Sequence, residues 1–284
     1  VTSQSDSRNS QQKSPRAALQ ALLHYGGSVL VLFLLFKFLP GRRIWHTLVS
    51  LPARLWIIVL VGYLAAHCIG VTKWRLTVNT AGSGLSWTQA ARCYFAGLFG
   101  SLFLPSLIGG DLVRAGLAMR IGRTKAGVLL GSLVDRTVDL LALGILAGIG
   151  AILVPGALDP KYRRIFLLLG AAAVLGIAIV ATIAILLAAR RFSYRMRRRF
   201  VSLRRAARSM ISQPRTIFAA LSLGIASQLA FINLSITLAE ACGLHLEFRV
   251  WVFAWPLAKL SAVLPITQGG IGVREAALAA LLLP

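Results

Sequence analysis

The chain has 284 residues, is 57% hydrophobic, and carries 31 lysines and arginines against 8 acids, a formal net charge of +23. A soluble domain of this size does not hide so much apolar surface, and the apolar residues gather in runs near the about 20 that a bilayer-crossing helix needs. The basic residues lie between those runs and accompany no recognition motif, which excludes nucleic acid as partner and points to loops facing anionic lipid.

In chain order, residues 1–16 are polar, end in Lys13 and Arg16, and lack the apolar core of a cleavable signal, so they read as a disordered basic tail. Ala17 to Leu39 is a first span, closed by Pro40-Gly41. Leu55 to Val71 is a second, followed by Lys73 and Arg75, which this reading puts in the cytoplasm. Thr88 to Ile108 is apolar with an internal Pro105. Ala126 to Val154 is long enough that it tilts or extends beyond the bilayer, and Arg163 to Ala189 and Thr216 to Ala241 are further spans. From Val250 the chain is apolar but broken by Pro265 and Gly269-Gly270. The last piece, Ala276 to Pro284, is too short to span alone, and a further helix is expected beyond it. The prediction is an all-α polytopic membrane protein, residues 17–284 forming one transmembrane domain of about six or seven spans plus two helix-break motifs.

Between Arg190 and Arg208 lie nine arginines and no acid. Phe192, Met196, Phe200, Leu203 and Ala207 recur at helical spacing there, which makes segment 190–213 an amphipathic basic helix. Such a helix either lies on an anionic membrane surface or acts only as a positive-inside loop. Placing it in the cytoplasm puts Arg120 to Lys125 and the N-terminus there too, in a bacterial plasma membrane. Arg42-Arg43 and Arg163-Arg164 misfit that topology and are assigned to snorkelling at the interface. Cys68, Cys93 and Cys242 read as packing residues. His24, His46, His67 and His245 are dispersed, and neither a metal nor another cofactor is expected.

The chain also matches itself. Leu104-Pro105-Ser106-Leu107-Ile108-Gly109-Gly110-Asp111-Leu112-Val113-Arg114 aligns without gaps to Leu264-Pro265-Ile266-Thr267-Gln268-Gly269-Gly270-Ile271-Gly272-Val273-Arg274. A proline followed by a glycine pair ends one helix and lets another start. In lipid such backbone is tolerated only where protein buries it or it lines a cavity. Each copy is therefore predicted to be a break between half-helices. Three spans separate the copies, so two re-entrant hairpins would enter from opposite faces. The predicted repeat halves are residues 55–154 and 216–284, related by inversion as in many transporters. The half-helix after each glycine pair would aim its N-terminus, with Arg114 or Arg274 one turn in, at a phosphate or carboxylate.

Asp135, Arg136 and Asp139 fall inside an apolar run. With Asp111, Arg114, Arg274 and Glu275 they make seven ionisable residues at or near membrane depth. At roughly 2.5–3.5 kcal/mol each on insertion scales, seven lone charges would cost about 20 kcal/mol, so they must pair, face water or sit near an interface. Four are acidic and three basic, a net-negative cluster. That balance predicts one protonated or proton-exchanging carboxylate. The substrate-binding set is read as Arg114, Arg274, Gly109, Gly110, Gly269 and Gly270. Asp111, Asp135, Arg136, Asp139 and Glu275 balance charge or carry protons.

Pro105 with Gly109-Gly110-Asp111 and Arg114, then Asp135-Arg136, then Leu264-Pro265 with Gly269 and Arg274-Glu275, occur in an order that resembles the flippase-like integral membrane family. That family includes the transmembrane region of bacterial lysyl-phosphatidylglycerol synthases. The resemblance implies movement of an anionic phospholipid, a modified phospholipid or a polyprenyl-phosphate-linked lipid between leaflets. It implies no lysyl transfer by this chain alone, since no soluble aminoacyl-transferase domain is present in it. Membrane lipids with anionic head groups are the expected partners, with a homo-oligomer or a partner enzyme as further ones. The competing readings are a membrane-embedded lipid-modifying transferase or its non-catalytic subunit, and a membrane scaffold.

Overall fold

The computed structural model describes residues 49–103, 107–154, 194–261 and 272–282, and every regular element among them is an α-helix. The spans predicted at Ala17 to Leu39 and Arg163 to Ala189, the tail of residues 1–16, and Gly269-Gly270 lie outside the described residues. Eight described helices follow in order: α1 (Ala53–Thr80), α2 (Trp87–Phe103), α3 (Leu107–Ile121), α4 (Lys125–Leu153), α5 (Tyr194–Ile211), α6 (Pro214–Ala241), α7 (Phe248–Ser261) and α8 (Val273–Leu282).

Three of them, α1, α4 and α6, are long and apolar enough to cross a membrane. At 28 or 29 residues each is about 42 Å long, more than the about 30 Å hydrocarbon core. α1 corrects the sequence reading: it continues past Val71 to Thr80 and so carries Lys73 and Arg75 within the helix. The helix ends only at the Ala81–Ser86 turn, where Gly82 (φ +93°) and Gly84 (φ +67°) take the left-handed conformation. Asn79 fastens that turn. Its Oδ1 accepts from the Leu85 N–H at 2.7 Å, and its Nδ2 donates to the Leu85 carbonyl at 2.8 Å. Arg75 Nε donates to the same carbonyl at 2.9 Å.

The three long helices pack through small residues, as membrane helices do where no hydrophobic driving force separates helix from lipid. Gly62 of α1 meets Leu234 of α6, Gly131 of α4 lies on the Val78 backbone of α1, and Gly224 of α6 faces Val138 and Ala142 of α4. These pairings run α1 antiparallel to both α4 and α6.

α2 and α3 form a tight antiparallel hairpin. A Cβ on Gly110 would sit 2.6 Å from the Gly97 carbonyl oxygen, and one on Gly97 would sit 2.7 Å from that of Gly110. The glycine pair therefore permits close approach of two helices. It does not form the break itself, because α3 begins at Leu107 and Gly109-Gly110 lie in its first turn. α7 and α8 likewise pack on each other, flanking the second copy of the motif.

α5 is helical as predicted, but one face is buried in protein. Ala206, Ala207 and Met210 pack on Ala81 and Leu130, and Ser209 Oγ donates to the Thr80 carbonyl at 2.7 Å. The basic helix is thereby docked where α1 ends and α4 begins.

Candidate functional site

Asp135 and Asp139 stand one turn apart on α4, and Asp139 is that helix's middle residue. Residues so spaced share a helix face, and α1 brings Lys73 to it. Lys73 Nζ lies 2.5 Å from Asp139 Oδ1 and 2.9 Å from Asp135 Oδ1. From the other side α3 brings Arg114, whose Nη2 is 3.2 Å from Asp135 Oδ2 and 3.0 Å from Asp111 Oδ1. Asp111 in turn pairs with Arg136. The result is a row in which sign alternates at every step: Asp139, Lys73, Asp135, Arg114, Asp111, Arg136.

The middle of the row is sealed and its ends are not. The Lys73, Asp135 and Arg114 side chains are 4%, 1% and 8% exposed, whereas Asp139, Asp111 and Arg136 are 23%, 22% and 46% exposed. Arg114 also lies over the rings of Trp74 and Tyr94, at 4.8 and 5.4 Å, which suits a desolvated guanidinium. Trp74 is fixed by its indole N–H, which donates to Ser132 Oγ at 3.1 Å. Among the described residues, no group of three His, Cys, Asp or Glu is placed to hold a metal ion.

Lys73 changes the charge balance. Three carboxylates now face three cations, so the row is neutral when every member is ionised. The net-negative cluster expected from sequence left Lys73 out, and the premise for a protonated carboxylate goes with it.

The family model described as lysylphosphatidylglycerol synthase TM region matches residues 20–284. The chain belongs to that family. No curated protein and no solved structure matches it. Membership makes this a multi-pass membrane protein, in agreement with the three long apolar helices, and bears out the resemblance read from the motif order.

Within this family member the two repeated arginines differ in setting. Arg274, at the start of α8, is half-exposed and pairs with its neighbour Glu275 at 2.7 Å. Glu275 Oε2 also accepts the Gly272 N–H at 2.7 Å, capping α8 from its third residue, and Gly272 has φ +87°. Arg274 stands 5.8 Å from the Trp255 ring of α7, as Arg114 stands over Tyr94 of α2. Each repeated arginine thus meets an aromatic ring of the preceding short helix and an acid close by, but only Arg114 joins the row. Gly109 and Gly110 are buried in the α2–α3 hairpin. Sequence reasoning missed two residues: Lys73, and Lys259 of α7, which hydrogen-bonds Gln228 of α6. Each is a lysine within or at the edge of an apolar run, Lys73 next to Trp74 and Lys259 one turn after Trp255, and that rarity was the available signal.

Proposed function

We propose that this protein moves an anionic phospholipid, a modified phospholipid or a polyprenyl-phosphate-linked lipid between leaflets. The head group passes beside the charge row while the tails stay in the bilayer. The observation that carries this reading is the row itself: six alternating charges near the middle of a spanning helix, closed at the centre and open at both ends. A structural tie between helices needs no accessible ends. A head group crossing hydrocarbon faces the same desolvation as the row, and exchange with its end charges offsets that cost.

The helix pattern supports the same reading. Over the described residues α2 and α3 have 17 and 15 residues, short of the about 20 of a full span, and fold back on each other. α2–α3 starts and ends beside α5, whereas α7 starts at the far end of α6. This fits two re-entrant hairpins entering from opposite faces as an inverted repeat. The α5 end carries Arg120, Arg123, Lys125, Arg204, Arg205, Arg208 and Arg215, with no acid among the described residues there. It is taken as cytoplasmic, along with the N-terminus, in a bacterial plasma membrane.

The test is a leaflet-resolved assay of fluorescent anionic lipid in proteoliposomes. Wild type is expected to exceed empty liposomes, and Arg136→Gln and Asp139→Asn to lose at least about tenfold, the size of one charge-assisted contact. A wild-type rate equal to that of empty liposomes across several anionic lipids would overturn the reading. A second reading draws on the family's description, which names a synthase: the chain presents lipid to a modifying enzyme. Product formed from lipid and donor only when such an enzyme is added, with no leaflet exchange, would favour it.

A further inference from the structure

Lys259 stands apart from the row. It lies in α7 just before the second motif, and its side chain is largely buried but not sealed. Its Nζ donates to Gln228 Oε1 at 2.9 Å and lies 5.0 Å from the centre of the Phe231 ring. No carboxylate is within ion-pair distance of it among the described residues. The charged groups within its electrostatic reach are Asp139, Arg274, Arg136 and Lys73, three of them cations. Asp139, the exception, is already held by Lys73 at 2.5 Å.

An ammonium has three N–H donors, and Gln228 takes one. The Gln228 amide N–H₂ supplies further donors next to it. His67 completes the surroundings: its ring packs 5.2 Å from that of Phe231, and its buried Nε2 has no hydrogen-bond partner. A cation without a counter-charge at membrane depth is unfavourable unless something brings an anion to it. The two repeated arginines already have theirs, Arg114 two carboxylates and Arg274 one.

We propose that Lys259 and the Gln228 amide form a seat for a phosphate-type oxyanion, beside the Asp139 end of the row. A compact ammonium suits a tetrahedral oxyanion approached from any side, where an arginine fork demands planar pairing. The apolar and aromatic walls favour a phosphodiester carried on acyl chains. That choice of source rests on the lipid-transport reading; the seat itself does not.

The experiment uses the full chain in detergent micelles. Binding of short-chain phosphatidylglycerol, and separately of inorganic phosphate, is measured for wild type, Lys259→Met, Lys259→Arg and Arg249→Gln, with thermal melts alongside. Expected is phosphatidylglycerol binding that Lys259→Met weakens at least about tenfold, that Lys259→Arg partly restores, and that Arg249→Gln, an exposed arginine paired with Glu247, changes by no more than about threefold. The double variant Lys259→Met/Gln228→Leu is expected to melt above wild type, because it removes an uncompensated charge with its polar partner. Unchanged phosphatidylglycerol binding by a folded Lys259→Met protein would overturn the seat and leave the transport reading standing. A lower melt for the double variant, with no rescue by Lys259→Arg, would also overturn it, marking Lys259 as a structural tie. Lys259-dependent binding of inorganic phosphate without lipid binding would keep the seat and remove the lipid source. No binding of either probe by wild type would overturn the seat, and the proteoliposome assay would then judge transport by itself.

Discussion

Lys73 lies between two carboxylates one turn apart, so removing it leaves like charges facing each other in a buried site. Breaking a buried ion pair from one side costs about 3–5 kcal/mol. Lys73→Met is therefore expected to lower the thermal midpoint of the purified protein sharply, and adding Asp139→Asn to recover part of the loss. A Lys73→Met protein that melts with wild type would show that the row does not hold α1 to α4. This residue also marks where sequence reasoning stopped. A lysine and an arginine after an apolar run read as the edge of a membrane, because hydropathy is local. The partners of Lys73 are on α4, more than sixty positions away. Asp111, Arg114, Asp135, Arg136 and Asp139 were legible because each breaks an apolar run or sits in the repeated motif. Their grouping into a row was not, since it depends on how α3 packs against α4.

At the scale of elements, the α2–α3 hairpin depends on glycine contact. Gly110→Ala would push a methyl group into the Gly97 carbonyl and is expected to destabilise the protein by about 1–3 kcal/mol, read as a lower melting temperature. Gly116, on the same helix, has nothing within 4 Å of the corresponding position. Gly116→Ala is expected to be neutral or to stabilise by roughly 0.5–1 kcal/mol through helix propensity. Equal losses from both changes would remove the close-approach account. A Pro-x3-Gly-Gly pattern looks the same in sequence whether the glycines break a helix or let two helices touch, which is why the motif was legible and its mechanics were not. For α5, Ala207 is buried on Ala81 and Leu130. Ala207→Asp is expected to undock that face, and limited trypsin digestion would then cut at Arg204, Arg205 and Arg208 faster than in wild type.

For the whole molecule, the proposed orientation rests on one end that gathers arginines and lysines. With that end cytoplasmic, α6 runs outward and delivers Cys242, an exposed free cysteine, to the opposite face. A membrane-impermeant maleimide is expected to label intact cells at Cys242 and to fail with Cys242→Ser, since Cys93 is buried and Cys68 lies within α1. Labelling only after permeabilisation would reverse the orientation. The long helices were readable because about 20 consecutive apolar residues are a strong signal. How the short helices pair was not, because packing between small residues leaves little trace in hydropathy. The row also constrains how this protein can diverge. Every interior charge serves two neighbours, so a single loss strands its partners, whereas losing two adjacent members leaves the remainder balanced. Lineages are expected to change these six positions in neighbouring pairs, Asp111 together with Arg136 or Asp139 together with Lys73, and to pass through singly altered forms rarely.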